Sequence, residues 1–242
     1  MKFLASAAVI ALAAAPLVAA EKDWSFGDGT MPERWSLVNS DYAMCDAGLM
    51  QSPIDLGQAK AYGDITVKTN YASTAGTLAV AKEKVQVDFP AGLFMHSGDM
   101  HFNLIQVHFH TPAEHAISGE RHPLVAHFVH ATEAGQLGVL GVMFKEGKAN
   151  PALQSVVDAL AKGKGAELNF DAAAAIPENL SVYRYMGSLT TPPCSEGVNW
   201  HVAHQVLEAS PEQIEALSEK LGPTARSIQP LGNRLLVAPH AH

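Results

Sequence analysis

One short stretch of this chain reads Leu104-Ile105-Gln106-Val107-His108-Phe109-His110, and its polar and apolar side chains alternate. A period of two is typical of a β-strand, on which successive side chains point to opposite faces. The pattern predicts a strand with Gln106, His108 and His110 on one face. The apolar residues, Ile105 among them, are expected on the other face. Two imidazoles on one face lie about 7 Å apart along the chain and can converge on one ion.

Other alternating segments, rich in β-branched and aromatic residues, extend this pattern along the chain. We expect strands over residues 77–81, 84–89, 101–110, 124–131, 137–145, 181–186 and 198–206. Pro151 and Pro211 each begin a stretch with helical periodicity, which predicts two helices. Many strands and few helices predict one mainly β domain of the α+β class, with a large, twisted and mostly antiparallel central sheet.

The predicted strand over residues 124–131 contributes a third histidine, His127. If this strand pairs with the strand that carries His108 and His110, the three imidazoles form a site with a fourth position open for water. That arrangement is typical of a catalytic zinc site. Gln106 favours this hypothesis because a ligating imidazole usually donates its other N–H group to an acceptor.

Two other interpretations of these histidines stay open. Buried histidines often only satisfy hydrogen bonds. We expect the histidines without this pattern to be structural or surface groups, with His115 buried; they are His101, His115, His122, His130, His201 and His204. Alternatively, His108, His110 and Glu114, followed by Gly119, resemble the first metal motif of cupins, in which the glutamate is also a ligand. The second cupin motif, a glycine-and-proline turn before a histidine, is not found downstream, which disfavours a cupin-like metalloenzyme.

The first residues indicate export. Residues 1–20 combine one early positive charge, a short apolar run and small residues at the end, which is typical of a signal peptide. We therefore expect a mature domain over residues 21–242 in a secreted or periplasmic location, with no membrane contact once the signal is removed. The net charge of −8, from 16 basic and 24 acidic residues, disfavours nucleic acid and anionic membranes as partners.

The chain has only two cysteines, Cys45 and Cys194. Two cysteines in an exported protein predict one disulfide. In the chain-entropy model a bridge that closes so long a loop stabilises the fold by roughly 5 kcal/mol.

Ten short blocks carry a further pattern, and their order and spacing are more specific than any one of them. They are DWSFG at 23–27, PERW at 32–35, QSPID at 51–55, QVHFH at 106–110, AEH at 113–115, AHFVH at 126–130, VLG at 139–141, GSLTTPP at 187–193, VNW at 198–200 and QPLGNR at 229–234. Together they resemble the alpha class of carbonic anhydrases over nearly the whole mature length. Bacterial secreted members are the most similar in style, and Cys45 and Cys194 fall where such members place their disulfide.

This resemblance implies reversible hydration of carbon dioxide to bicarbonate and a proton through zinc-bound hydroxide. His108, His110 and His127 match the ligands of Zn²⁺. Thr190 matches the hydroxyl group that accepts a hydrogen bond from the hydroxide, and Glu114 matches the buried carboxylate that orients this threonine. Further matches are Gln106 as a supporting acceptor, Thr191 as an organiser of water, and Val129, Val139, Leu189, Val198 and Trp200 as the apolar pocket for carbon dioxide.

Three positions depart from the family pattern. Glu83 stands where the family has a proton-shuttle histidine, and a carboxyl group with a pKa of about 4.3 relays protons poorly at neutral pH. Val125, on the same strand face as His127, replaces a glutamate that supports the third zinc ligand. Phe26 replaces an active-site tyrosine and removes one hydroxyl group.

These departures leave a second function open, namely a relative that retains zinc but has weakened catalysis. The intact set of His108, His110, His127, Thr190 and Glu114 favours the enzyme. The sequence leaves both a monomer and a homodimer open.

Overall fold

The computed structural model describes residues 22–27 and 32–240, so the predicted leader over residues 1–20 lies outside the described part of the chain. Thirteen strands form one sheet in this part. In chain order they are β1 (Ala61–Tyr62), β2 (Val67–Thr69), β3 (Ser73–Ala81), β4 (Lys84–Asp88), β5 (Phe94–Ser97), β6 (Met100–His110), β7 (Leu124–Ala131), β8 (Leu137–Glu146), β9 (Glu167–Asp171), β10 (Val182–Ser188), β11 (Glu196–Ala203), β12 (Leu207–Ala209) and β13 (Val237–Ala238).

Helices are short and few in the described residues. They are α1 (Trp35–Val38), α2 (Met44–Ala47), α3 (Pro151–Lys162) and α4 (Pro211–Leu221), with 3₁₀ turns at Pro32–Arg34, Ser40–Tyr42 and Leu56–Gln58. The two predicted helices, α3 and α4, are confirmed. The Asn150 side chain caps the first and Ser210 forms a capping box with Gln213 at the second, which satisfies N–H groups that a helix start leaves open. None of these helices is long and apolar enough to cross a membrane.

The main path of the sheet runs β1-β13-β10-β11-β8-β7-β6-β4-β3-β9, while β12 joins β8 and the pair β2-β5 joins β6. The pairings are antiparallel except that of β1 with β13 and those of β8 with β11 and β12. This confirms the prediction of a mostly antiparallel sheet in one mainly β domain. It also places β6 and β7, which carry the three candidate ligands, side by side near the middle of the sheet.

The two faces of the sheet bury different cores. One face packs against α3 and α4, which cover Phe128 and its apolar neighbours with side chains such as Leu153 and Leu217. The other face buries a smaller cluster that includes Val125 and Trp200. Side chains of β7 alternate between these cores, so this strand is buried along most of its length.

The predicted strands occur with small differences at their ends. The bounds of β7 are as predicted, whereas β11 ends at Ala203 and not at Val206. The chain bends after Ala203, and residues 207–209 then pair with β8 as the separate strand β12.

The predicted position of Ile105 is wrong. The register between β6 and β7 shifts between Leu104 and Gln106, so a bulge interrupts the strict alternation there. Leu104 joins Val107 in the core, and Ile105 is 45% exposed. The face assigned to Gln106, His108 and His110 is unaffected because these residues follow the bulge.

The predicted disulfide is confirmed between Cys45 and Cys194, which are 149 residues apart in the chain. Both cysteines pack against Trp35 in a third buried cluster, together with the partly buried Phe26. The bridge therefore ties α2, which contains Cys45, to the loop that follows β10.

Three buried histidines serve the core and not the candidate site. His115, as predicted, is fully buried, and so are His130 and His201. Their Nε2 atoms lie 2.7 Å from Tyr185 Oη, 2.5 Å from Tyr71 Oη and 2.8 Å from Ser97 Oγ, respectively. Burial disfavours the imidazolium and lowers the pKa of these residues to about 3, about 4 and about 3.

These lowered pKa values predict a loss of stability in acid. The folded state binds fewer protons than the unfolded chain, so the contribution of His130 is full above the unfolded pKa of about 6.5 and is lost as the pH falls towards its folded pKa of about 4. Between about pH 7.5 and about pH 5, protonation of His130 should lower the free energy of unfolding of wild type by about 2 kcal/mol. His130→Gln should not show this part of the loss. Urea unfolding of both proteins at about pH 7.5 and about pH 5 measures this difference.

The exposed His204 offers the matched control, because His204→Gln makes the same chemical change outside the core. Equal pH dependence in wild type and His130→Gln would contradict the prediction.

Candidate metal centre

Three imidazoles meet on the face of the paired strands β6 and β7 that carries the smaller core, where His110 and His127 are buried. His108 and His127 lie directly opposite each other in the antiparallel register, and His110 is two residues further along β6. One nitrogen of each ring lies within 4.8 Å of the corresponding nitrogens of the other two. The sequence-based convergence of His108, His110 and His127 is therefore observed in the fold.

The rings of His108 and His110 are fixed by acceptors. Nδ1 of His108 lies 3.0 Å from Gln106 Oε1, and Nδ1 of His110 lies 2.8 Å from the Thr224 carbonyl oxygen. Both oxygens can only accept, so each Nδ1 carries the proton and each Nε2 keeps its lone pair. Nε2 of His110 is buried and has no hydrogen-bond partner among the described residues, so its lone pair is available to a metal ion.

The Thr224 carbonyl was not predicted from the sequence. It lies 114 residues from His110 in the chain. Every residue carries a carbonyl group, so no residue type marks this one as the acceptor.

His127 lacks such an acceptor. Its Nδ1 lies 3.8 Å from Glu114 Oε2, the atom that is also 3.5 Å from His110 Nε2, so Nδ1 is on the side of the cluster. Its Nε2 therefore points away from the cluster, and it is buried without a hydrogen-bond partner in the described part of the chain. Val125, two residues earlier on the same strand face, is fully buried and offers no acceptor.

The environment favours neutral imidazoles at two of the three positions. Burial, followed by the neighbouring imidazole of His110, holds the pKa of His108 well below its usual value. Burial and the same neighbour lower the pKa of His127 likewise. Neutral nitrogens with free lone pairs are the form that binds a metal ion.

Glu114 lies fully buried beside this cluster. Its Oε1 accepts a hydrogen bond from the Arg226 backbone N–H at 3.1 Å. Its Oε2 accepts none within residues 22–27 and 32–240, so the hydrogen bond expected from the buried Thr190 is not formed in this structure. The carboxylate thus keeps one oxygen available on the side of the histidines.

Thr191 is partly buried, and its carbonyl oxygen accepts a hydrogen bond from the Cys194 backbone N–H.

An apolar wall stands next to the histidines. The Trp200 ring centroid lies 5.0 Å from that of His127, and its indole N–H donates to the Ser188 carbonyl oxygen at 2.9 Å. The five residues expected to form the apolar pocket are all in one cluster on this face of the sheet: Val129, Val139, Leu189, Val198 and Trp200.

Glu83 has a role that the sequence did not reveal. It occupies the two-residue turn between β3 and β4 with φ of 57°. Its Oε2 forms a 2.8 Å ion pair with Lys22 Nζ, and its Oε1 accepts from the Phe26 backbone N–H at 3.2 Å. Glu83 therefore anchors the N-terminal segment, whose Phe26 ring lies 6.2 Å from the ring of His110.

Together these residues could hold one metal ion. Three nitrogen donors without a fourth protein ligand are typical of a catalytic zinc site, which keeps one position for water. Within the described residues these three form the one group of histidine, cysteine or carboxylate side chains that is close enough to share an ion as three ligands.

Known proteins are similar to this chain in sequence and fold. The family model described as eukaryotic-type carbonic anhydrase matches residues 30–238. A carbonic anhydrase of Nostoc sp. is 36% identical over 233 residues, covering 92% of this chain and 88% of the relative. A hyperthermostable carbonic anhydrase identified from an active hydrothermal vent chimney superposes with a TM-score of 0.84 at 37% identity, covering 90% of this chain and 100% of the other. The alpha-carbonic anhydrase of Thermovibrio ammonificans, solved with the inhibitor sulfanilamide, gives a TM-score of 0.81 at 36% identity and covers 88% and 98%.

The missing acceptor at His127 yields a prediction about zinc affinity. In Val125→Glu, a carboxylate two residues away on the same strand face can accept the Nε2–H of His127, so we expect zinc to bind about tenfold to 100-fold more tightly. Competition with a chromophoric chelator measures the dissociation constant.

Val125→Leu, which changes size but adds no acceptor, is the matched control and should not tighten binding. If Val125→Glu binds zinc no better than wild type, a group other than residue 125 already supports His127.

Proposed function

Because this chain belongs to the eukaryotic-type (alpha) carbonic anhydrase family, we propose that it catalyses the reversible hydration of carbon dioxide to bicarbonate and a proton with one zinc ion. His108, His110 and His127 would hold the ion. The observation that carries the proposal is the buried Nε2 of His110, which has a free lone pair and no partner in the described part of the chain. A bound zinc ion supplies a water molecule that ionises near neutral pH.

Gln106 and Thr224 prepare the ligands. Their oxygens hold the Nδ1 protons of His108 and His110, so these two rings do not have to change tautomer or rotate when the ion binds. Fixed rings reduce the ordering that binding would otherwise require.

Thr190 and Glu114 would orient the nucleophile. The Arg226 N–H holds one carboxylate oxygen of Glu114, and the other is available to accept from the Thr190 hydroxyl group. Once Thr190 donates there, its oxygen can only accept the proton of the attacking oxygen atom. That contact would aim a lone pair of the nucleophile at the carbon of the substrate.

The apolar wall suits carbon dioxide. Carbon dioxide carries no net charge and no hydrogen-bond donor. An apolar surface beside the nucleophile can therefore bind it without leaving a buried donor or charge unpaired. Trp200 and Val139 are almost fully buried there, and Leu189 adds a partly exposed apolar surface at the same cluster. Thr191 would help to order water at this edge of the site.

Proton release is the step for which this chain is poorly equipped. Glu83 is held by Lys22 and by the Phe26 N–H, so it does not turn freely towards the site, and it is not a histidine, the side chain suited to proton relay near neutral pH. Phe26 adds no hydroxyl group to a chain of water molecules. We therefore expect buffer molecules to carry the proton away.

The enzyme proposal and its alternative, a zinc-binding relative with weakened catalysis, differ in one measurement. The predicted signal peptide would direct either protein out of the cytoplasm, to the periplasm or the exterior. The presence of Thr190 and Glu114 at the site favours the enzyme. A monomer and a homodimer are both compatible with it.

The central prediction is zinc-dependent hydration of carbon dioxide. The purified protein should contain one zinc ion per chain and hydrate carbon dioxide in a stopped-flow indicator assay. Sulfanilamide, which is bound to the relative from Thermovibrio ammonificans, should inhibit the reaction. His110→Gln should lose zinc and activity together, while His204→Gln, at an exposed position, should keep both. A zinc-loaded protein with no hydration above background would contradict the proposal.

The route of the proton can be tested separately. The hydration rate of wild type should rise with imidazole concentration, because imidazole supplies the missing acid–base group. Glu83→His should raise the rate at low buffer by about tenfold or more and flatten the imidazole response.

Glu83→Gln is the matched control, because it can still accept from Phe26 N–H but cannot titrate. A flat imidazole response in wild type would show that another group of this chain already carries the proton.

A further inference from the structure

A second pair of histidines lies on the hairpin of β5 and β6, away from the candidate metal centre. We propose that His96 and His101 form a two-histidine site that binds one divalent late first-row transition-metal ion. His101 and His108 are seven positions apart on β6, which corresponds to roughly 20 Å along a strand. The proposal therefore does not depend on the proposed catalytic function.

The two rings already have the spacing that a metal requires. His96 and His101 are directly paired in the antiparallel register, so their side chains share one face of the hairpin. His96 Nε2 lies 3.1 Å from His101 Nδ1. Metal–nitrogen bonds of about 2.0–2.1 Å at angles of about 90–109° place two ligand nitrogens about 2.9–3.4 Å apart. The observed separation lies inside this range.

Asn103 fixes the tautomer that ligation needs. Nε2 of His101 lies 3.1 Å from Asn103 Oδ1, which can only accept, so Nε2 carries the proton and Nδ1 keeps its lone pair. His96 must then donate its Nε2–H to that lone pair in the metal-free protein. A metal ion can replace this hydrogen bond once the proton of His96 moves from Nε2 to Nδ1 of the same ring. This change of tautomer leaves the net charge of the protein unchanged. Asn103 thus provides the outer acceptor that ligating histidines usually have.

Packing and access also suit a bound ion. The ring of Phe94 lies 4.9 Å from that of His96 and 4.8 Å from that of His101, which restricts both rings. His101 is exposed and borders a surface hollow of about 620 Å³, also lined by Asp99 and Glu133, where an ion could keep its water ligands.

Nearby charges affect the affinity for any cation, and the type of ligand decides which ion binds most tightly. Lys68, the cross-strand neighbour of His96, opposes cation binding, while the carboxylates of Asp99 and Glu133 favour it. Two imidazoles and water are ligands for which first-row ions follow the order Ni²⁺ below Cu²⁺ above Zn²⁺. We therefore expect Cu²⁺ to bind more tightly than Ni²⁺ or Zn²⁺.

The test titrates Cu²⁺ into protein whose His108 site is already filled with zinc. The background carries His240→Gln and His242→Gln, so that the histidines of the C-terminal tail do not contribute. Calorimetry should show one Cu²⁺ per chain, and electron paramagnetic resonance should show two nitrogen ligands. His101→Gln should abolish this equivalent, and Asn103→Leu, which removes only the outer acceptor, should weaken it about tenfold to 100-fold.

Two controls keep the outcome decisive. His204→Gln removes an exposed histidine without a histidine neighbour and should leave Cu²⁺ binding unchanged. Carbon dioxide hydration, measured on the same samples, should be the same in His101→Gln and in its parent, so failure of either proposal is recognised separately. The proposal is overturned if the parent with His240→Gln and His242→Gln binds no Cu²⁺, or if His96→Gln or His101→Gln binds it as this parent does.

Discussion

The antiparallel pairing of β6 with β7 is the constraint on which the rest of the structure depends. It sets His108 opposite His127 and brings His110 to the same side. Side chains alternate with a period of two, so a slip by one residue would turn His127 to the helix-covered face and Phe128 towards the histidines. Burial of Phe128 beneath α3 and α4 therefore fixes the register, and the register assembles the site. The hydrophobic core and the metal centre are specified by the same interaction.

The support of the three ligands is unequal. His108 and His110 each donate to an oxygen, one from a side chain on the same strand and one from a carbonyl group far along the chain. His127 has an apolar neighbour, Val125, in place of an acceptor, and its Nε2 has no hydrogen-bond partner among the described residues. A buried N–H group without a partner costs about 1–3 kcal/mol. The site thus combines two preorganised ligands with one whose orientation depends on packing against Trp200.

The carboxylate of Glu83 stabilises the N-terminal segment around Phe26. Glu83 stands at the position that the family resemblance assigns to proton transfer, yet it is fixed by Lys22 and the Phe26 N–H. That anchor holds the N-terminal segment against Trp35 and the disulfide cluster. Stabilising this segment and relaying a proton place different demands on one side chain. A hydrogen-bonded ion pair fixes its partners, while a relay has to change its protonation and its orientation.

Much of the fold and of the candidate site could be predicted from the sequence, because periodicity and residue type are local properties. Alternation predicted β7 and the face shared by His108 and His110, the prolines marked α3 and α4, and two cysteines in an exported chain predicted the disulfide. The bulge at Ile105 was not predictable, since it arises from how β6 meets β7. The Thr224 carbonyl, the anchor at Glu83 and the paired rings of His96 and His101 were likewise decided by the tertiary structure. The first two depend on which atoms, distant in the chain, the fold brings together, and the local sequence contains no record of that distance. The paired rings are only five residues apart, but their contact depends on the register of the hairpin of β5 and β6.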